Sequence, residues 1–321
     1  MRRIAVTGAS GYLGSVLIKR LIQEPEVEMV LGFDVRPGAL THPKLRHVQQ
    51  EINAPMRQSL SESGIDTIVH LAFLLNTTRD RAISRRVNLG GTTNVINESA
   101  AAGVSHIFFA SSSTVYGAYP NNPPHFSETD AIRPNRGFTY SEDKAELERI
   151  IARFSLENPR IGITIGRIAP VLGPNANNFV VRAFFRSVMI KAGSYDPPLQ
   201  YTHENDFSDI VASLVLRRSA GVFNIASDGD INYTDVSRIA GKKLITIPSA
   251  ILGPMTGLTW LLRLQDDGTP AGLAFIKYPW LVSNAKLKAE LGIAPHYTSV
   301  QAVSDYAARK MSVDRSTEKV Y

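Results

Sequence analysis

Thr7-Gly8-Ala9-Ser10-Gly11-Tyr12-Leu13-Gly14 is the stretch that decides the fold. It follows the apolar run Ile4-Ala5-Val6 and leads into Val16-Leu17-Ile18 and Leu21-Ile22, whose spacing is helical. Three glycines therefore lie between a strand and a helix. A turn this tight needs residues without a Cβ, both for unusual dihedrals and to let the backbone approach a pyrophosphate at a helix N-terminus. The stretch reads as a dinucleotide cradle, with Gly8, Ser10, Gly11, Tyr12, Leu13 and Gly14 as candidate contacts.

Outward from it, Glu28-Met29-Val30-Leu31-Gly32-Phe33 reads as a second buried strand ending at Asp34, twenty residues beyond Gly14. An acidic residue at this offset accepts hydrogen bonds from the adenosine ribose hydroxyls and repels a 2′-phosphate. NAD is favoured over NADP. Arg36 weakens that preference if its guanidinium pairs with a phosphate; stacking on adenine or facing water are its other readings.

Apolar runs at 47–48, 66–72, 107–110, 161–165 and 222–225 continue the strands, while 81–102, stopped by Gly103, and 139–156 have helical spacing. The alternation implies an α/β protein with a Rossmann-type doubly wound parallel sheet and a smaller C-terminal substrate-binding lobe. Residues 1–170, with a return segment at about 206–226, are assigned to the NAD-binding domain, and 171–205 and 227–321 to the lobe. In such sheets the ligand crevice lies at the carboxyl ends of the strands, where Gly8, Asp34, Ala72 and Ser112 fall.

Composition narrows the classes further. The 321 residues, 44% hydrophobic, suffice for a large core and argue against disorder. The 35 Lys+Arg against 29 Asp+Glu are scattered rather than gathered in a tract, so no nucleic-acid partner is expected. With no cysteine, disulfides, thiolate metal sites and cysteine nucleophiles are excluded, and the seven histidines lack metal-ligand spacing. No metal is expected. Met1-Arg2-Arg3 is basic, but the apolar run behind it breaks at Thr7-Gly8, which makes it a strand rather than a secretion signal and points to the cytoplasm. The segment 248–264 is the most apolar, yet too short and too rich in Gly and Pro to span a membrane, so no stable membrane insertion is expected. A helix packed in the substrate lobe is the expectation there, the alternative being a surface that meets lipid, an apolar substrate or another subunit.

Tyr140-Ser141-Glu142-Asp143-Lys144 opens the helix at 139–156, and the i, i+4 spacing puts Tyr140 and Lys144 on one face. An ammonium near a phenol lowers its pKa from about 10 toward neutrality. Tyr140 can then act as general base on an alcohol or general acid on a carbonyl. Ser112, at the mouth of the preceding strand, can hydrogen-bond the same oxygen.

These residues give the chain a clear resemblance to the extended short-chain dehydrogenases/reductases, the group of NAD-dependent epimerases and dehydratases. The matched elements are Thr7-Gly8-x-x-Gly11-x-x-Gly14, Asp34, Asp66-x-x-Val69-His70-Leu71-Ala72, Asn88-x-x-Gly91-Thr92-x-Asn94, Ser111 to Gly117, Tyr140-x-x-x-Lys144, Arg167-x-x-Pro170-Val171-Leu172-Gly173-Pro174 and His203-x-x-Asp206. The resemblance implies Ser112 as the catalytic hydroxyl, Tyr140 as acid/base, Lys144 on the nicotinamide ribose and Asn88 aligning the site. It also implies Glu51 and Ile52 at adenine, Leu71 and Ala72 lining the cofactor, Pro170 near the nicotinamide, and a homodimer paired through 81–102 and 139–156.

Two departures concern the substrate. Dehydratases of the group place an Asp-Glu pair after the catalytic hydroxyl, where Ser113 and Thr114 stand here, which disfavours a sugar 4,6-dehydratase. Nucleotide-sugar enzymes carry an arginine just ahead of His-x-x-Asp, where Leu199 and Gln200 stand. Either Arg182 or Arg186 replaces it, or the substrate is smaller or less charged. The expected function is NAD-dependent hydride transfer to or from a small-molecule secondary alcohol or ketone, a nucleotide sugar being one candidate, as an epimerase or a dehydrogenase/reductase. The reading from another class is a non-catalytic NAD(H)-sensing protein, which Ser112, Tyr140 and Lys144 argue against.

Overall fold

The computed structural model describes residues 1–74, 81–177, 188–262 and 270–318, the side chains of 313–318 excepted. Its central feature is a seven-stranded parallel sheet of β1 (Arg2–Thr7), β2 (Val27–Asp34), β3 (Leu45–Gln49), β4 (Thr67–His70), β5 (His106–Ser112), β6 (Gly162–Ile168) and β7 (Gly221–Ile225). The spatial order is β3-β2-β1-β4-β5-β6-β7, so the direction of winding reverses between β1 and β4. That reversal opens a crevice at the carboxyl ends of these two strands, the position at which doubly wound sheets take ligands. All seven strands fall where the apolar runs predict them.

The chain forms two compact units. The first comprises 1–111, 143–167 and 208–223; the second comprises 112–142, 168–207 and 224–321. In the first, α1 (Tyr12–Leu21), α2 (Arg57–Glu62), α3 (Arg81–Arg85), α4 (Gly91–Ala101) and most of α5 (Thr139–Glu157) accompany the sheet. Strands β1, β4 and β5 are buried along nearly their whole length, as parallel strands covered on both faces must be. The core of this unit gathers Phe33, Met56, Ile68, Val95, Phe109 and Leu147 with their neighbours. Helix α4 stops at Gly103, whose φ of +79° lets Val104 N–H bond Ser99 C=O and Gly103 N–H bond Ala100 C=O.

One expectation is corrected here. The segment 81–102 is not a continuous α-helix: a π-turn over Arg86–Gly90 separates α3 from α4. The wider turn turns Asn88 inward, where its amide clamps Leu74, Oδ1 accepting from the backbone N–H at 2.8 Å and Nδ2 donating to the C=O at 3.2 Å. Single π-turns of this kind cluster at functional sites.

Histidines 70 and 106 are buried in this unit, and the pull of Asp66 on His106 does not offset its burial. His70 lies between two threonine hydroxyls, Nδ1 at 2.6 Å from Thr7 Oγ1 and Nε2 at 2.9 Å from Thr92 Oγ1. Burial, helped by the charge of Lys144, holds its pKa down to about 3, and burial holds His106 at about 4. The unfolded chain therefore binds more protons than the native one below pH 6.5, and stability is lost as pH falls from about 6.5 toward 3–4. Urea unfolding at pH 4.5 should show roughly 2–4 kcal/mol less stability than at pH 7. His70→Gln should flatten that difference; an unchanged pH dependence would remove His70 as its source.

In the second unit lie α6 (Glu204–Arg217) in its opening turn, α7 (Tyr233–Ile239), α8 (Ser249–Leu261), α9 (Ala285–Leu291) and α10 (Ser299–Glu318). Helix α8 forms within the segment 248–264, whose Arg263 and Leu264 lie outside the described residues. It is not packed as expected. Only Leu252 and Thr256 are buried, while Ile251, Met255, Leu258 and Leu261 stay exposed. Among the described residues no helix is long and apolar enough to cross a membrane.

Candidate active site

The glycine turn is shaped by close backbone approach. A Cβ on Gly8, whose φ is +74°, would lie 2.9 Å from Ala72 N, and one on Gly14 would lie 2.1 Å from Gly8 O. The turn thus brings β1 against the exit of β4, where Leu71 N–H bonds Thr7 C=O and Ala72 N–H bonds Thr7 Oγ1. Gly11 caps α1, and the first N–H groups of that helix, from Tyr12 and Leu13 onward, face the cradle with no acidic residue in the first turn. Space without Cβ atoms beside a helix N-terminus fits a pyrophosphate.

Asp34, at the end of β2, is 9% exposed in its side chain. Its Oδ2 accepts from Ser10 N–H and its Oδ1 from Arg36 N–H, both at 3.0 Å. Arg36 folds back, Nε 3.4 Å from Oδ1, with its side chain 63% exposed. A cleft of about 320 Å³ lies alongside, lined by Ser10, Arg36, Gly38, Leu40 and His47 among others. Sequence reading missed the last part of it. His47 Nε2 lies 2.9 Å from Leu40 O, and a Cβ on Gly38 would come within 2.3 Å of two of the imidazole atoms and closer to a third, so the loop after Arg36 can lie flat on the ring only with glycine there. Glu51 is exposed, whereas Ile52 packs against Gly91 and its C=O is held by Asn94 Nδ2 at 2.7 Å.

Tyr140 and Ser112 belong to the second unit. Ser112 ends β5, and its Oγ caps the following 3-10 turn (Ser113–Tyr116), accepting from Thr114 N–H at 3.3 Å and Thr114 Oγ1 at 3.0 Å. Tyr140 stands on the first turn of α5 and hydrogen-bonds Ser112. Burial pushes the phenol above its ordinary 10, and the Ser112 hydrogen bond opposes the shift. The expected depression is not found: desolvation raises the phenol, and the opposing influence is the Ser112 hydrogen bond.

Lys144, one helical turn on, is buried in the first unit. Its Nζ donates to Ala110 O at 2.6 Å and sits over the Phe73 and Phe109 rings, 3.8 and 4.9 Å from their centroids. Burial lowers it to about 7, against the opposing pull of Glu148 and Asp143. Asp143 is itself pushed up by burial, while Arg85, Arg81 and Asn88 pull it down.

A buried ion pair stands behind Lys144 that sequence reading noted only as Arg167 of a motif. Glu148 and Arg167 have side chains 4% and 6% exposed and meet at 2.8 Å, and Ser111 Oγ donates to Glu148 at 2.5 Å. The signal in the sequence was the continuing i, i+4 ladder of Tyr140, Lys144 and Glu148 on one helix. Arg167→Leu should destabilise the chain by roughly 3–5 kcal/mol, because it strands a buried carboxylate. Denaturant unfolding should show Glu148→Leu/Arg167→Leu recovering most of that loss; no recovery would mean that packing, not charge, carries the effect.

Pro170 is half-buried, its C=O accepting from Thr202 N–H at 2.9 Å. The His203-x-x-Asp206 element is a loop anchor. Asp206 accepts from His296 N–H, Tyr297 N–H and Ser227 Oγ, and the His203 ring stacks on Tyr297 at 3.7 Å. Arg182 and Arg186 lie outside the described residues. Among those residues no cluster of three or more His, Asp or Glu side chains could hold a metal ion.

A profile of the NAD dependent epimerase/dehydratase family matches residues 4–225, from β1 to the end of β7. The chain belongs to that family. The expected cofactor, NAD, is the one the family uses. An uncharacterised protein of Mycobacterium tuberculosis (strain H37Rv) is 27% identical over 311 residues, covering 94% of this chain and 82% of that one. A 3 beta-hydroxysteroid dehydrogenase/Delta 5-->4-isomerase of Mycobacterium tuberculosis (strain CDC 1551) is 30% identical over 197 residues, 58% of this chain and 51% of that one. Among solved structures, MoeE5 in complex with UDP-glucuronic acid and NAD superposes with a TM-score of 0.76 at 20% identity, covering 97% and 99% of the two chains. The Thermus thermophilus UDP-glucose 4-epimerase complex with NAD gives 0.75 at 18%, covering 96% and 98%. At such identities the superpositions establish a shared fold.

Proposed function

We propose that the chain is an NAD-dependent enzyme that moves a hydride and a proton to or from a secondary alcohol or its ketone, with Tyr140 as acid/base. The observation that carries this is the hydrogen-bonded Tyr140–Ser112 pair at the start of α5, in a family chain whose glycine turn leaves room for a pyrophosphate. When bound, NAD supplies a carbon that accepts or returns the hydride.

The chain's own groups do the rest. Backbone N–H groups at the start of α1 hold the pyrophosphate, and Asp34 takes the adenosine ribose. Asn88 fixes the backbone at the exit of β4. Ser112 Oγ orients the substrate oxygen, and Tyr140 Oη takes its proton as the alcohol is oxidised or returns it as the ketone is reduced. Lys144 is the residue that would hold the nicotinamide ribose of the bound cofactor.

A dehydration role has no support, since the positions after Ser112 are Ser113 and Thr114, both buried and without a carboxylate. One relative is by name a 3 beta-hydroxysteroid dehydrogenase/Delta 5-->4-isomerase, and hydride transfer at a carbinol carbon is consistent with that name.

The test has two steps. The purified chain is denatured and the supernatant assayed for NAD, because an epimerase that regenerates its cofactor keeps it and a net dehydrogenase releases it. Alcohols and ketones are then screened by NADH absorbance. The absence of bound NAD, together with NAD binding no tighter than millimolar and no turnover, would overturn the reading.

A further inference from the structure

Ser112 has only its proton to offer, because both of its lone pairs are taken. Its Oγ accepts from Thr114 N–H at 3.3 Å and from the Thr114 hydroxyl at 3.0 Å. A serine hydroxyl carries one donor and two acceptor sites. Thr114 therefore fills the acceptor side of Ser112 with its main chain and its side chain together. Both residues are buried, which limits competition from water and strengthens each bond.

Thr114 is itself held in place. It lies in the 3-10 turn Ser113–Tyr116, where its C=O accepts from Gly117 N–H at 3.0 Å and the C=O of Val115 accepts from Arg133 N–H at 2.9 Å. At the end of the turn Tyr116 Oη lies 2.9 Å from both Ser127 O and Asn224 Oδ1, and its ring stacks on Phe126 with centroids 4.6 Å apart. These contacts anchor the backbone on both sides of Thr114, so its two donors stay aimed at Ser112.

The arrangement decides the direction of the bond between Ser112 and Tyr140. A serine with a free lone pair can accept the phenol's proton, which stabilises the neutral phenol and aims that proton away from a substrate oxygen. A serine whose lone pairs are filled can only donate, which favours the phenolate and leaves the tyrosine proton for the substrate. Burial raises Tyr140, and the Ser112 hydrogen bond opposes it, as a donated bond must. We infer that Thr114 is a positioning residue of the reaction: by donating through both its N–H and its hydroxyl it fixes Ser112 as a donor toward Tyr140 and the substrate oxygen. The inference rests on the Tyr140 reading above and adds to it a residue that acts through Ser112.

The test needs no substrate. With 3-fluorotyrosine incorporated at Tyr140 of the full chain, fluorine NMR reads the ionisation of that one phenol as pH is raised. Thr114→Val keeps the N–H bond and the shape of the side chain and deletes the hydroxyl. It should move the midpoint upward by about 0.4–1 pH unit, the equivalent of one hydrogen bond. Thr114→Ser, which keeps a hydroxyl, should return the midpoint to that of the unaltered chain. In a Ser112→Ala background Thr114→Val should add no further rise, because its path runs through Ser112. Thermal melts check that each variant folds, and Thr114→Ala serves in place of Thr114→Val if the latter does not.

An unmoved midpoint in Thr114→Val, or one that Thr114→Ser does not restore, would overturn the inference and leave the Tyr140 mechanism standing. An equal rise in the Ser112→Ala background would also overturn it, since the effect would then be a loosening of the turn and not a hydrogen bond passed through Ser112. Turnover that survives Tyr140→Phe would instead sink the acid/base reading on which the inference rests, whatever the midpoints show.

Discussion

Gly14→Ala is expected to weaken NAD binding by at least about a hundredfold, the equivalent of roughly 2.7 kcal/mol, and to lower the melting temperature by about 6 °C. The added Cβ would stand 2.1 Å from Gly8 O and 2.9 Å from Ala9 Cα, so its neighbours are backbone, not a side chain that can swing away. Relief requires Gly8 to move, and Gly8 is itself wedged against Ala72 N. Its N–H and that of Ala9 are both tied to Phe33 O, which links the turn to β2 and Asp34. One methyl group therefore disturbs the pyrophosphate cradle and the ribose carboxylate together. Gly253→Ala on α8, where a Cβ meets nothing within 4 Å, is the matched control and should change neither quantity by much. Isothermal titration with NAD and a thermal melt read both. Unaltered affinity in Gly14→Ala would remove the glycine turn from the cofactor site.

That effect could be anticipated from sequence because the cradle is local: a strand, three glycines and a helix are adjacent in the chain, and steric exclusion acts between near neighbours. The seven strands were legible for a similar reason, since strands buried on both faces read as short continuous apolar runs. What was not legible depends on partners distant in the chain. The buried Glu148 needs Arg167 and Ser111, and only folding brings those three together. Gly38 reads as an ordinary loop glycine until the His47 ring is seen beneath it. The π-turn at Asn88 leaves the apolar spacing of 81–102 nearly intact, so periodicity alone passes over the one extra residue that aims the side chain at Leu74. The pKa of Tyr140 could not be read from its spacing to Lys144, because spacing fixes the neighbour and says nothing of the burial that opposes it. Exposure of α8 was equally hidden, since an apolar helix has the same composition whether it is covered or bare.

Tyr140→Phe is expected to lower kcat by about 10²–10⁴-fold while NAD affinity stays within about twofold. The change deletes one oxygen. The ring keeps its place against Phe138, and Ser112 keeps its bonds to Thr114, so the site loses its acid/base with little else disturbed. The pH dependence separates this role from a structural one. Burial raises the phenol, so in the direction of alcohol oxidation, which needs the phenolate, the wild-type rate should climb as pH rises toward the phenol's pKa. Ketone reduction needs the protonated phenol and should fall over the same range. In Tyr140→Phe both slopes should vanish along with the rate. Ser112→Ala removes the hydrogen bond that opposes the upward shift, so it should move the oxidation profile to higher pH as well as slow it. Wild-type pH slopes persisting in Tyr140→Phe would place the proton transfer on another group, and Lys144, held near 7 by burial, is the next to test.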